Sequence, residues 1–278
     1  MRFLIFIFLV FLLPFSSAFG AKSEWRNVGL DTKIRLISSD ELNKDGSVFV
    51  GLEIKMPKKI KTYWRIPGEA GIPAQLDISG SNNIISHEMF WPFPVREEQY
   101  GFLNFVYYGK VILPIKLQLD KKAGQTKLKA DVFLGICSDI CIPVQEVLEL
   151  DLNLKKIDKT QRARLKIANS LTPAVWDKKE KPIKNAIIDL KTNKIEVEVD
   201  GDIVDISSII IDNDNPNVLF SLPQHNLSQP GLPQYSLSTS LVSFEIINED
   251  EIKNLIDKPI RFTFQTSDGA FETFIILE

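Results

Sequence analysis

The sequence lacks the residue patterns that support several common functions. Its two histidines, His87 and His225, are far apart and therefore give no metal-ligand spacing. The formal net charge is only −3 and the isoelectric point is mildly acidic, which gives no indication of nucleic-acid binding. Methionine is scarce, with 3 residues against 18 phenylalanines, and short runs of Ile and Val recur. This composition favours β-strands over a helical bundle.

Long apolar runs are missing beyond residue 21, and the one at the N-terminus is short. Residues 3–13 are apolar without a break, with Arg2 before them and Pro14 after them. A bilayer-spanning helix needs about 20 residues, so this segment is too short for a lasting anchor. We predict a cleaved signal peptide over residues 1–20, with an uncleaved anchor as the alternative. The mature chain is then expected in an extracytoplasmic, disulfide-permissive compartment, without stable membrane insertion.

Short alternating segments separated by turn signals fill the first half of the chain. Thr32–Ser38 and Ser47–Lys55 alternate polar and apolar residues around the turn Asn43–Gly46, which predicts a hairpin. Similar segments recur at regular spacing up to residue 154. This succession predicts an all-β fold, with an immunoglobulin-like antiparallel β-sandwich over residues 21–154.

Two segments of this region are expected to be irregular. Residues 62–73 are rich in Pro and Gly and are predicted to form a loop, with Tyr63 and Trp64 as a lid on a sheet edge. Val95–Gly101 is predicted to be a turn that carries an acidic pair beside an aromatic residue.

The second half of the chain changes character twice. Residues 155–183 contain good helix formers, with Ala163, Ile167 and Ala168 on one apolar side, and are predicted to be a helical linker. Residues 184–278 return to strand-like segments and are predicted to form a second, smaller β domain that ends in a hairpin. This second domain has no cysteine and no catalytic constellation.

The only two cysteines, Cys137 and Cys141, are separated by three residues and flanked by strand-like sequence. If residues 127–136 and 142–152 pair as a hairpin, Ser138–Ile140 is its loop and the two thiols are close enough to join. A bridge that closes so short a loop gives little stability through the unfolded state. A purely structural clamp in an exported protein nevertheless remains an alternative to redox exchange.

Other cysteine chemistries have less support in the sequence. A zinc site needs two further ligands, and none lies at suitable spacing. The Cys-x-x-Cys motif of thioredoxin-type proteins is absent. A nucleophilic cysteine hydrolase needs a general base, and neither histidine has a recognisable context for that role.

Four segments in a fixed order resemble a known family. They are Phe133–Glu146 with the cysteine pair, Tyr63–Pro73, Trp91–Pro94 and Tyr108–Pro114. Together they are similar to the N-terminal periplasmic domain of the DsbD-type thiol:disulfide interchange proteins, most of all the branch linked to suppression of copper sensitivity. The resemblance covers roughly residues 28–152.

The resemblance implies a periplasmic protein whose cysteine pair, at one end of an immunoglobulin-like domain, transfers electrons without a cofactor or metal. The electrons would come from a membrane-embedded thiol donor on a separate chain and pass to periplasmic thioredoxin-fold proteins. Cys141 matches the attacking thiol of the family. The shielding cap loop of the family matches a segment of this chain that contains Glu97, Glu98, Tyr100 and Phe102.

The sequence thus predicts a periplasmic thiol–disulfide interchange protein that acts through Cys137 and Cys141. Such exchange proceeds through an accessible thiolate and a mixed disulfide. The alternative is a non-catalytic exported β-sandwich interaction module in which the same cysteines form a permanent bridge.

Overall fold

The structure, a computed structural model, describes residues 21–69, 71–99, 101–120, 125–213, 218–225, 239–247 and 255–277. The predicted signal peptide, residues 1–20, and the predicted cap residue Tyr100 lie outside the described residues. Strands dominate the described part of the chain, where one α-helix is found, so the predicted all-β class is confirmed.

The first half of the chain forms two facing antiparallel sheets, in an immunoglobulin-like sandwich. The first sheet has the order β1-β2-β3-β9-β6, and the second has the order β11-β10-β4-β8-β7, with β5 pairing on β10. A core of Leu, Ile, Val and aromatic side chains, including the fully buried Trp64, lies between them. The strands are β1 (Arg26–Gly29), β2 (Thr32–Leu42), β3 (Ser47–Lys55), β4 (Lys61–Gly68), β5 (Gln75–Asp77), β6 (Ile84–Met89), β7 (Val95–Gln99), β8 (Phe102–Tyr108), β9 (Lys110–Leu119), β10 (Thr126–Cys137) and β11 (Cys141–Leu152).

The predicted hairpin near the N-terminus is confirmed as β2 and β3. Its register runs from Lys33 opposite Lys55 to Leu42 opposite Val48. The turn ends at Gly46, whose φ of +80° is a conformation that glycine adopts without strain.

The predicted loop over residues 62–73 is wrong for its first part, which is strand β4. Tyr63 and Trp64 are buried within this strand and do not form a lid. The register of β4 against β8 shifts between Tyr63 and Gly68, so Pro67 and Gly68 mark an irregularity at the strand end. Gly68 has a φ of +88°, and a Cβ atom there would overlap the Leu103 carbonyl. The Pro and Gly residues therefore signalled the end of a strand, and the strand itself was missed.

The helix α1 (Lys159–Ser170) begins after Asp158, whose side chain accepts a hydrogen bond from the Gln161 backbone N–H at 2.9 Å. It packs against the first sheet through β2, β3 and β9. Its buried residues are Gln161, Leu165 and Ala168, so the predicted apolar side is wrong for two residues: Ala163 and Ile167 are exposed. Gly51 on β3 leaves the space that the Leu165 side chain occupies. The shape of the sheet thus selects which helix face is buried.

The second half of the chain forms another pair of sheets, with the orders β12-β19-β18-β15 and β13-β14-β17-β16. Its core contains Phe244, Phe262 and Phe264, all fully buried. The predicted final hairpin is confirmed, with Thr266 opposite Gly269. Its strands are β12 (Ala174–Val175), β13 (Ile183–Asp189), β14 (Lys194–Asp200), β15 (Asp205–Asp212), β16 (Gln224–His225), β17 (Thr239–Glu245), β18 (Pro259–Thr266) and β19 (Gly269–Ile276).

The two sandwiches are in direct contact. Ile210 of β15 is 3% exposed and packs into the core of the first sandwich. Arg96 of β7 donates hydrogen bonds to the backbone carbonyls of Ser207 and Ile209, the second at 2.8 Å. The second sandwich therefore packs against the first one through Ile210 and at the edge strand β7.

Candidate redox site

Strands β10 and β11 form an unbroken antiparallel hairpin that ends at the cysteines. The register runs from Thr126 opposite Leu152 to Cys137 opposite Cys141, as the sequence predicted. Residues 138–140 form the loop, which the Ser138 backbone N–H closes by donating to the Ile140 carbonyl. The cysteines are thus the last pair of a long, regular ladder, at one end of the sandwich.

Cys137 and Cys141 are joined by a disulfide, with their Cα atoms 4.1 Å apart. The two sulfur-bearing residues differ in exposure: Cys137 is fully buried, whereas Cys141 is partly exposed. The sheet order explains this difference, because Cys137 is also paired with Lys61 of β4, whereas Cys141 lies on the edge strand β11. A large reactant can therefore approach the disulfide from the Cys141 side.

Tyr63 provides the polar contact to the exposed end of the disulfide. Its hydroxyl oxygen lies 3.2 Å from the Cys141 Sγ, and the hydroxyl is the donor because a disulfide sulfur carries no proton. The side chain is 2% exposed. Burial, together with the negative charge of Glu97, raises the pKa of the Tyr63 hydroxyl, so it stays protonated at neutral pH.

Behind Tyr63, the carboxylate of Glu97 joins three strands. It accepts hydrogen bonds from the Tyr108 hydroxyl and from the Lys61 ammonium group, which is buried. Lys61 also donates to the Gln99 side-chain oxygen at 2.8 Å. Burial and the hydrogen bond to Glu97 raise the pKa of Tyr108. We refer to Cys137, Cys141, Lys61, Tyr63, Glu97 and Tyr108 as the disulfide cluster.

Residues 34–153 match the family model described as "Thiol:disulfide interchange protein DsbD, N-terminal". The matched range includes the whole second sheet, which carries the disulfide cluster. Residues 34–153 are a DsbD-type N-terminal domain. The resemblance noted in the sequence is thereby confirmed.

A solved structure is similar over both sandwiches. It is the crystal structure of the N-terminal periplasmic domain of ScsB from Proteus mirabilis, with a TM-score of 0.69 and 18% sequence identity. The match covers 93% of this chain and 98% of that chain. At this identity the likeness concerns the fold, which therefore extends beyond the DsbD-type domain into the second sandwich. No curated protein sequence matches the chain significantly.

The predicted cap of the DsbD-type domain is a hairpin, because residues 95–99 form strand β7 where a turn was expected. Gln99 is paired with Phe102, so the connection consists of two residues and ends at Gly101, with φ +83°. Glu97 is part of the disulfide cluster, whereas its neighbour Glu98 lies on the other face of β7 and is exposed. Phe102 is 46% exposed.

Sequence reasoning missed three members of the disulfide cluster of the DsbD-type domain. Lys61 and Tyr63 lie at the start of β4, Lys61 just before and Tyr63 within the segment expected to be a loop, and Tyr108 lies at the end of β8. Lys61 and Tyr63 alternate with Thr62 and Trp64, as strand residues on one face do. That alternation would have identified them once the strand was assigned.

The remaining polar residues give no further site of this kind. In the described ranges, no three His, Cys, Asp or Glu residues are grouped so that they could hold a metal ion. His87 is a partly exposed residue of β6, as expected, and His225 belongs to β16. Among the described residues, no helix combines the length and the apolar character that a membrane span requires.

Proposed function

We propose that this chain is a periplasmic thiol–disulfide interchange protein that passes electrons through Cys137 and Cys141 to other periplasmic thiol proteins. The observation that carries the proposal is the asymmetry of the bridge: Cys137 is buried, and Cys141 is partly exposed beside the Tyr63 hydroxyl. An exchange pair needs one sulfur that a partner can reach and a second that resolves the mixed disulfide.

Each direction of exchange follows from this asymmetry. A donor thiolate attacks the Cys141 sulfur and breaks the bond to Cys137, whose thiolate takes up a proton. A second donor thiolate then attacks the donor sulfur of this mixed disulfide and releases Cys141 as a thiolate. The pair has gained two electrons, and the donor leaves as a disulfide.

The reduced pair then delivers these two electrons. The Cys141 thiolate attacks a partner disulfide, forms a mixed disulfide and releases a partner thiolate. Cys137 loses its proton and attacks the Cys141 sulfur, which restores the internal bridge and releases the second partner thiolate. The buried position of Cys137 keeps the resolving thiol away from other proteins.

Tyr63 supports the proposed exchange because it donates a hydrogen bond to the sulfur that must become a thiolate. A hydrogen bond to the charged form of a group favours that form. The raised pKa of Tyr63 keeps this donor protonated over the whole physiological range. The exchange itself needs no cofactor, since thiolates and disulfides exchange electrons directly.

The partners follow from the family of the first domain. We propose that a membrane-embedded thiol protein supplies the electrons and that periplasmic thioredoxin-fold proteins receive them. The segment before the described residues serves as the signal peptide for export in this proposal. An oxidising compartment also fits a chain in which both cysteines are bridged.

The test is a measurement of the reduction potential of the pair in dithiol buffers, followed by capture of the partner. We expect a potential in the range of known carriers, and a Cys137→Ser variant that accumulates mixed disulfides through Cys141. The matched Cys141→Ser variant keeps only the buried thiol and should capture little. A potential below about −300 mV, with a reduced Cys141 that resists alkylation, would overturn exchange and favour the structural bridge.

A further inference from the structure

A second group of buried polar side chains joins the two sandwiches. An Nη2 atom of Arg65 lies 3.0 Å from the Asp212 carboxylate, 2.9 Å from the Thr263 hydroxyl and 3.3 Å from the Glu272 carboxylate. Arg261 donates to the other oxygen of Asp212 at 3.2 Å. Asp212 is 1% exposed. We refer to Arg65, Asp212, Thr263, Arg261 and Glu272 as the interface cluster.

Arg65 belongs to the same strand as Tyr63. The two residues are two positions apart on β4, and Trp64 between them points into the core. The guanidinium group of Arg65 also lies 4.1 Å from the centre of the Trp64 ring. On β4, Tyr63 therefore contacts the disulfide, Trp64 packs into the core and Arg65 binds the second sandwich.

A second strand of the disulfide cluster is held in the same way. On β7, Glu97 accepts hydrogen bonds from Lys61 and Tyr108, and its neighbour Arg96 donates to the carbonyls of Ser207 and Ile209. These carbonyls belong to β15 of the second sandwich. Two of the three strands that place polar groups behind the disulfide, β4 and β7, thus also carry an arginine bound to the second sandwich.

We propose that Arg65 and Arg96 are positioning residues, through which the second sandwich sets the places of Tyr63 and Glu97 relative to the cysteine pair. This role deepens the proposed exchange function and rests on it. This gives the second sandwich a function: it fixes the hydroxyl that contacts the Cys141 sulfur. A hydrogen bond weakens steeply with distance and misalignment, so a small displacement of β4 is enough to reduce its effect.

The first test measures the reactivity of the reduced pair in the full-length mature chain. We expect Arg65→Met to slow the alkylation of Cys141 by iodoacetamide at pH 7 at least threefold, because a less well placed Tyr63 stabilises the thiolate less. Tyr63→Phe removes the donor itself and should produce an equal or larger decrease. The apparent thiol pKa from the pH profile of the same reaction should rise in both variants.

A double-mutant cycle separates positioning from a general loss of stability. If Arg65 acts through Tyr63, the double variant Arg65→Met/Tyr63→Phe should react no more slowly than Tyr63→Phe alone. Arg164→Met is the matched control. Arg164 of α1 is buried to a similar extent as Arg65, and it pairs with Glu53 of the first sheet. This variant should lower the unfolding midpoint without changing the alkylation rate. Arg96→Met, which acts on β7, should also change the thiol pKa.

The outcomes distinguish this inference from the proposed function. Unchanged alkylation of folded Arg65→Met, or fully additive effects in the cycle, would overturn the positioning role even if the wild-type chain exchanges with thioredoxin-fold proteins. A wild-type chain that exchanges with no protein partner, combined with a non-additive cycle, would overturn the proposed function and keep the positioning role. Arg65→Lys retains the charge, and partial recovery of the rate would support positioning through the ion pair.

Discussion

The molecule contains two clusters of polar side chains that are built from similar groups but covered differently. The disulfide cluster combines a lysine, a carboxylate and two tyrosines around the bridge. The interface cluster combines two arginines, two carboxylates and a threonine. Each contains a charged residue that is at most 5% exposed, Lys61 in the first and Asp212 in the second.

The difference lies in what each cluster leaves accessible. The interface cluster lies between the two sandwiches, and its arginines hold the buried Asp212 from both sides. Arginine suits this purpose because its planar group can bind several acceptors at fixed angles. The disulfide cluster instead ends at Cys141, which is partly exposed. The interface cluster therefore fastens the two sandwiches to each other, whereas the disulfide cluster offers a sulfur atom at a sheet edge for the proposed exchange.

The largest effect is expected from breaking the interface cluster. Asp212→Ala leaves two arginines at the interface without their shared carboxylate, and breaking a buried ion pair costs about 3–5 kcal/mol of unfolding free energy. Urea unfolding at pH 7 measures this loss. Asp268→Ala is the control, because Asp268 also pairs with a cation, Lys178, but is well exposed. A change in the Asp212 variant as small as in the control would contradict the role assigned to the interface cluster.

A smaller effect is expected at Glu53, which anchors α1 to the first sheet through Arg164 and also pairs with Arg35 and Lys110. Glutamine keeps the size of the side chain and one acceptor oxygen for these cations, so Glu53→Gln should cost about 1–2 kcal/mol at pH 7. Burial acts to raise the pKa of Glu53, but hydrogen bonds from the three cations outweigh it and hold the pKa below its ordinary 4.5.

The sign of the pH dependence follows from this lowered pKa. The stability that Glu53 contributes is present above pH 4.5 and is lost as the pH falls through its lower folded value. The difference in unfolding free energy between wild type and Glu53→Gln should therefore shrink on acidification. Urea titrations at pH 7, 5 and 3 check this, and a constant difference would contradict the charge-based explanation.

The sequence was informative where the physical signal is local. The hairpin that carries the cysteines follows from two alternating segments and a short loop, and the helix follows from its helix-forming residues. The face of the helix was predicted wrongly because it depends on the surface beneath it. Gly51 admits Leu165 against the sheet, and nothing in residues 159–170 reveals this.

The arrangement around the disulfide could not be predicted because it depends on sheet order. Lys61 is far in sequence from Glu97 and Tyr108 and meets them only because β8 lies between β4 and β7. Pro67 and Gly68 also concealed β4, although both lie at its end. The carboxylate that matters, Glu97, was predicted together with Glu98, and only strand alternation separates their environments.

Within the disulfide cluster, the charge of Glu97 is expected to lower the reactivity of Cys141 in the reduced pair. It raises the pKa of the Tyr63 hydroxyl and so weakens the donor that supports a Cys141 thiolate. Glu97→Gln should lower the thiol pKa by about half a unit and speed alkylation of the reduced protein about threefold at pH 7. Alkylation rates between pH 6 and 9 measure both quantities. A slower reaction in this variant would show that the negative charge is not what limits the thiolate.

The smallest effect is expected from Asp139, the carboxylate that is nearest to both cysteines in sequence. It lies at the exposed tip of the loop between them, where water and salt screen its charge. Asp139→Asn should therefore change the alkylation rate by less than about 1.5-fold at physiological ionic strength. The two variants remove the same charge, one from the half-buried cluster and one from the loop tip. If Asp139→Asn had the larger effect, proximity in the chain would control the thiol, and the buried cluster behind Tyr63 would not.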